Sequence, residues 1–196
     1  MDLPLIDIRI LALTQKHSLA FKTIKMSLQS QQPDNAAPNH IVLWLGGLGL
    51  IPFAIPVVAM LSAVGSDAGI QSAAVVGFYA PYVFVAYSAI ILSFLSGVLW
   101  HSGRTSKIQS MANFGVIASN LIALTAWFSL LMIHLSSLMT LLAVTLLLCG
   151  YGILLLLERT LDSTETDLSY WRMRLILTTV VIVFHSLVLI LLIGDL

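Results

Sequence analysis

His185 is the only side chain of Asp, Glu, Lys, Arg or His type that falls deep inside one of this chain's long apolar stretches. An ionisable group at such a depth is costly in hydrocarbon and is by default a candidate for proton transfer or ligand binding. His185 stands about 12 residues, or ~18 Å at 1.5 Å per residue, from the start of its stretch near Met173. Tyr87, Ser88 and Pro52 lie at a similar depth in other stretches, and Asn120 is the most polar uncharged side chain well inside one. His185, Asn120, Pro52 and Pro56 therefore make up a candidate functional polar cluster near mid-membrane. Haem held between two helices would need a second histidine at matching depth, whereas His101 and His134 fall at opposite membrane faces; metal binding meets the same shortage. The expectation for His185 is a neutral ring hydrogen-bonded to Asn120, a serine or a tyrosine, with a proton-transfer or ligand role as the sharper alternative.

Other chemistry-bearing patterns point the same way. Glu158, Asp162, Glu165 and Asp167 crowd the stretch ERTLDSTETDLSY, but their spacing fits neither a calcium loop nor a histidine-containing metal site, so a solvated loop is expected. The chain has no phosphate-cradling G-x-x-x-x-G-K-[ST], no G-x-G-x-x-G, no H-E-x-x-H and no G-x-S-x-G. No pair of carboxylates sits inside an apolar stretch to support aspartyl-protease chemistry. The single cysteine, Cys149, excludes an intrachain disulfide and a cysteine-built zinc site. These observations imply no catalytic residue, no metal, no cofactor and no enzymatic activity.

The elements that carry these residues are set by composition. Of 196 residues, 59% are hydrophobic and 9% charged, and the mean hydropathy is +1.00, values that belong to a bilayer rather than to a soluble domain. Crossing a hydrocarbon core of ~30 Å takes about 20 mostly apolar residues. Stretches of that kind occupy residues 41–64, 78–100, 112–133, 138–157 and 173–193. The fold class that follows is all-α, a polytopic integral membrane protein of five transmembrane helices occupying residues 41–196. Residues 1–40 read as a flexible cytoplasmic tail; Met26, before the polar run SLQSQQPDNAAPNH, is a candidate alternative start. No cleavage pattern of a signal peptide follows the short apolar run Ile10 to Leu13.

Charge placement supplies an orientation. With a cytoplasmic N-terminus, all nine Lys and Arg fall in or beside segments 1–40, 101–111 and 158–172, and the opposite segments hold none. This is the positive-inside pattern, and it places the C-terminus in the periplasm. The nine Asp and Glu balance the total, so nothing in the net charge suggests nucleic acid as a partner.

Within the spans, Gly46, Gly47, Gly49, Pro52 and Pro56 predict a kinked first helix, because each proline removes a donor and crowds the carbonyl four residues back. Ala89, Ser93 and Gly97 recur every four residues in the second span and predict a helix-packing face, the close backbone approach that small residues allow in lipid. Asn120 is expected to point into the bundle.

Four stretches also carry a family likeness: GLIPF (Gly49 to Phe53), YSAIILSFLSGVLW (Tyr87 to Trp100), the Leu-rich span ending in Glu158 and Arg159, and YWRMRLILT (Tyr170 to Thr178). Their order over residues 41–190 resembles domain-of-unknown-function family 3429, small bacterial membrane proteins related to eukaryotic transmembrane protein 69. His101 and Ser96 stand where that pattern favours glycine. The resemblance implies a multi-pass protein of the bacterial inner membrane and carries no substrate, cofactor or catalytic residue. The function expected is that of a non-enzymatic accessory or interaction protein, embedded in the lipid bilayer with a membrane-protein partner or as a homo-oligomer. The alternative is a small-solute or ion translocator that uses the mid-membrane polar cluster.

Overall fold

The computed structural model describes residues 21–22, 40–106, 108–161 and 168–195. The chain divides into two compact units, residues 1–39 and residues 40–196. In the first, Phe21 and Lys22 are helical and exposed; the other expectations for the tail, and those for Asp162, Glu165 and Asp167, lie outside the described residues.

The second unit is built from helices. α1 (His40–Leu48) and α2 (Ile51–Gly65) share the first span, Trp44–Gly65, followed by a 3-10 turn (Ile70–Ser72) and a two-stranded hairpin of β1 (Ala74–Val75) and β2 (Phe78–Tyr79). Then come α3 (Ala80–Thr105), α4 (Gln109–Met132), α5 (Ser137–Leu161) and α6 (Leu168–Gly194). Among the described residues five helical spans are thus long and apolar enough to cross a membrane, and the protein is a multi-pass membrane protein. Only 28–39% of each span is buried inside the bundle, while Phe94, Ile117, Leu121, Phe128, Leu156, Ile176 and Ile190 face outward. So continuous an apolar exterior is stable only against lipid.

Local chemistry explains where the elements start and stop. Pro81 opens α3, where its missing amide costs nothing. The Ser136 hydroxyl accepts the Met139 N–H at 3.2 Å and so caps the start of α5. The hairpin turn at Val76 and Gly77 has φ values of 50° and 82°, a pairing that suits Gly77 and strains the β-branched Val76. This hairpin takes up Phe78 and Tyr79, so the second span begins at Ala80.

The expected kink of the first span is a break between α1 and α2. Pro52 has no N–H, and the Phe53 N–H turns to Leu50 O at 3.1 Å, leaving the Gly49 carbonyl without its usual helical donor. The Tyr87 hydroxyl of α3 donates to that carbonyl at 2.9 Å. A backbone group freed at membrane depth is thereby satisfied by a neighbouring helix, the condition on which such breaks are tolerated.

α3 packs against α2, α4 and α5, and α6 closes the bundle against α5 and α2. The packing ridge of α3 differs from the one expected. Ala89 is buried, Ser93 is half-buried, and Gly97 is exposed with nothing within 4 Å of where its Cβ would be. Ser88, Leu92, Ser96, Leu99 and Gly103 carry the contact instead. A Cβ on Gly115 of α4 would come within 2.8 Å of the Gly103 Cα, so these two helices touch backbone to backbone near their connection. A Cβ on Gly150 of α5 would meet Leu92 Cδ2 at 2.6 Å, so this glycine makes the hole that Leu92 fills.

Candidate functional site

The mid-membrane polar cluster is assembled by α3, α5 and α6 around His185. The Nδ1–H of this fully buried ring donates to the Val181 carbonyl one turn earlier in α6, at 2.8 Å. A carbonyl can only accept, so in the neutral imidazole the Nε2 lone pair faces outward from α6 and takes the Ser88 hydroxyl of α3, also at 2.8 Å. The Ser88 carbonyl in turn accepts the Tyr151 hydroxyl of α5 at 3.0 Å. Aromatic edges complete the shell, with Phe84, Tyr151 and Phe53 ring centroids 4.8, 5.2 and 6.0 Å from the imidazole. Phe53 also meets Tyr87 at 4.9 Å, so residues 87 and 88 of α3 tie the α1–α2 break to α5 and α6 at one level.

A hydroxyl hydrogen-bonded to an imidazole is the pairing by which a serine nucleophile is activated. Here Ser88 and His185 are both 0% exposed, and the ring is oriented by a carbonyl rather than a carboxylate. What the arrangement does chemically is satisfy each polar group inside lipid and lock three helices in register, each such bond being worth on the order of 0.6–2 kcal/mol.

The other residues read from the sequence are dispersed. Asn120 does not point into the bundle: it is exposed on α4, and its side-chain amide donates to the Val116 carbonyl of its own helix at 2.8 Å. Pro52 is half-buried in the first turn of α2, and Pro56 is buried inside α2. The cluster that forms is therefore His185, Ser88, Tyr151 and the aromatic shell, with Pro52 acting through the break that Tyr87 caps.

A second feature escaped the sequence. α5 runs on to Leu161, so Glu158 is a helical residue and not part of a solvated loop. It takes the Arg174 guanidinium as a fork, Nε–H to Oε2 at 2.9 Å and Nη2–H to Oε1 at 2.7 Å, with both side chains about nine-tenths buried. Arg174 of α6 thus docks on α5. Two parallel charge-assisted bonds fix the plane of the guanidinium as well as its position.

Above the histidine cluster lies a lateral cleft of about 570 Å³ between α1 and α3. Leu45, Gly46, Leu50 and Phe53 form one wall; Ile91, Phe94 and Leu95 form the other. Its back is made by Tyr151 and by Arg174, Leu177, Thr178 and Val181 of α6. Arg174 is the one charged group on this lining, and Phe53, Tyr151 and Val181 separate the cleft from the buried Ser88 and His185. α1 reaches α6 through Gly46, where a Cβ would fall 2.8 Å from Leu177 Cδ1, and stands off from α3 to leave the opening.

At the other end of the bundle, where α3 begins and α6 ends, Gln71 donates to Asp195 Oδ2 at 2.9 Å and so fastens the hairpin segment to the end of α6. Tyr79, Tyr82 and His134 stack edge to face in series, at 4.9 and 5.6 Å. Burial, and after it the negative charge of Asp195, raise the Tyr79 phenol above its usual pKa, so it is a neutral hydroxyl across the physiological range. Among the described residues no group of three or more His, Cys, Asp or Glu converges as metal ligands.

No curated protein and no solved structure matches the chain. A family model described as protein of unknown function (DUF3429) matches residues 38–190, which takes in all five spans almost to the end of α6. The four stretches that carried the likeness lie within that range and supply Tyr87, Ser88, Glu158 and Arg174 to the interactions just described, and the chain belongs to this family.

Proposed function

We propose that the protein is a non-enzymatic accessory protein of the bacterial inner membrane that holds an apolar constituent of the bilayer in its lateral cleft. One observation carries the reading. The cleft has the volume of a ligand site, roughly 300–1,000 Å³, is lined by aliphatic and aromatic side chains, and lies where the helix flanks meet lipid. A translocation role would draw on the same α1–α2 break, but the polar groups at that depth are engaged with one another and shut off from the cleft by Phe53 and Tyr151. Holding is therefore favoured over passage.

The reading is tested by extracting the full chain in mild detergent and measuring bound lipid by mass spectrometry. Wild-type protein is expected to retain lipid at a fixed ratio per chain. Leu95→Trp, which fills the cleft from the α3 side, is expected to lose it while eluting and melting as a folded protein. Equal retention by the two proteins, or none by wild type, would overturn the proposal.

A further inference from the structure

We infer that the ligand of this cleft is an amphiphile with an anionic head, a phospholipid whose phosphate seats on Arg174 and whose chain runs down toward Phe53 and Val181. The inference rests on the cleft-holding reading and adds the recognition of charge. The polarity of the lining runs one way. Tyr170 and Arg174 stand near the start of α6, and Leu177, Thr178 and Val181 follow deeper along the same helix. From Tyr170 to Val181 is 11 residues, or about 16 Å of helix, which gives a charged mouth over an apolar shaft on the dimension of one acyl chain.

The ion pair explains how a guanidinium is kept ready at that mouth. Glu158 occupies the edge formed by Nε and Nη2, and Glu158 itself is not part of the cleft lining. Arg174 reaches the cleft lining and Glu158 does not, so the Nη1 donors that Glu158 leaves untaken are the ones offered to an anion arriving from the cleft. An anionic oxygen arriving there meets an oriented donor without the cost of gathering a long side chain. Glu158 also offsets the cost of burying the cation before the ligand arrives. Arg172, exposed two residues earlier, adds positive potential at the same end of the helix.

The test uses the full chain in detergent, titrated with a phosphatidylglycerol and with a diacylglycerol of identical chains, which lacks the phosphate, and read by native mass spectrometry. Wild type is expected to prefer the phospholipid by on the order of tenfold, the effect of one hydrogen bond to a charged group. Arg174→Gln alone leaves Glu158 buried without its partner and risks misfolding, so the informative variant is Arg174→Gln with Glu158→Gln. It is expected to abolish the preference while still binding the diacylglycerol, whereas Glu158→Gln alone keeps the preference or strengthens it. Equal affinities in wild type, or a preference that survives in the double variant, would overturn the assignment to Arg174 and leave the chain-holding role standing. Failure of both lipids to bind would overturn the two readings together, as would a dimer that Leu95→Trp dissociates and that excludes lipid.

Discussion

Ser88 and His185 share a hydrogen bond that the histidine cannot replace locally, because the ring is fully buried and its other nitrogen is already engaged. Ser88→Ala leaves the Nε2 atom without a donor, a loss of about 1–3 kcal/mol, and His185→Ala adds a cavity under Phe53, Phe84 and Tyr151. Thermal unfolding in detergent is expected to fall for both, further for His185→Ala, while lipid retained per folded chain stays at the wild-type ratio. A loss of retention at unchanged melting temperature would instead make His185 part of the ligand site. His185 was legible in the sequence because an ionisable group in hydrocarbon has to be explained, and of the partners expected for it, Asn120, a serine or a tyrosine, the one found is a serine. Asn120 was misread for an equally physical reason. A polar side chain on a helix reaches the carbonyl four residues back, as Asn120, Thr125, Thr145 and Ser186 all do, so it can face lipid without an unsatisfied group. Polarity at depth therefore identifies an inward face only when the group is too large or too basic to be satisfied by its own helix.

The break between α1 and α2 makes α1 a separate lever over the cleft. It is held by two attachments, the Tyr87 hydroxyl on the Gly49 carbonyl and the close seat of Gly46 on Leu177. Tyr87→Phe keeps the ring against Phe53 and removes only the first attachment. With Cys149 replaced by serine, spin labels at Trp44→Cys and Phe94→Cys would report the width of the cleft by pulsed electron resonance. The Tyr87→Phe distribution is expected to broaden toward longer distances, with a modest fall in stability of about 0.6–2 kcal/mol. An unchanged distribution would show that Gly46 alone fixes α1. Two prolines four apart made this break visible in the sequence, but its cap on another helix was not. The span limits show the same division between local and tertiary information. Apolar runs at 78–100, 138–157 and 173–193 marked the hydrocarbon, whereas the helices run on to Thr105 and Leu161 and start back at Leu168. Those extra turns carry charged side chains with partners of their own, where Arg104 sits 4.9 Å over the Trp100 ring and Glu158 meets Arg174. Of Ala89, Ser93 and Gly97 only Ala89 is fully buried in the bundle: small-residue spacing names a surface that permits close approach, while Gly46, Gly103, Gly115 and Gly150 are glycines that other residues approach closely.

Taken as a whole, the molecule is asymmetric along the membrane normal in both charge and cavity. Arg104 closes α3, Arg159 lies in the last turn of α5, and Arg172 and Arg174 open α6, all at the end where the cleft has its charged mouth. The described residues of the opposite end carry Asp67 and Asp195 and no lysine or arginine. The five-span count and this partition were both readable from hydropathy and charge, because each is a property of the chain one segment at a time. The cleft was not, since it exists only through the angle at which α1 leaves α2 and the distance it keeps from α3. If the basic end is cytoplasmic, the head of a lipid held by Arg174 belongs to the inner leaflet. A reporter fused after Leu196 is then expected to read as periplasmic and one inserted after Thr164 as cytoplasmic, since an odd number of spans puts the termini on opposite sides. Lysines at Leu135→Lys and Ser137→Lys weaken the asymmetry where it is absolute, and both reporters are expected to become mixed as a fraction of chains inserts inverted. Reporters that stay fixed in that variant would mean that something other than loop charge sets the orientation. A cytoplasmic reading at both wild-type positions would mean that α6, the span that lies between them, does not cross.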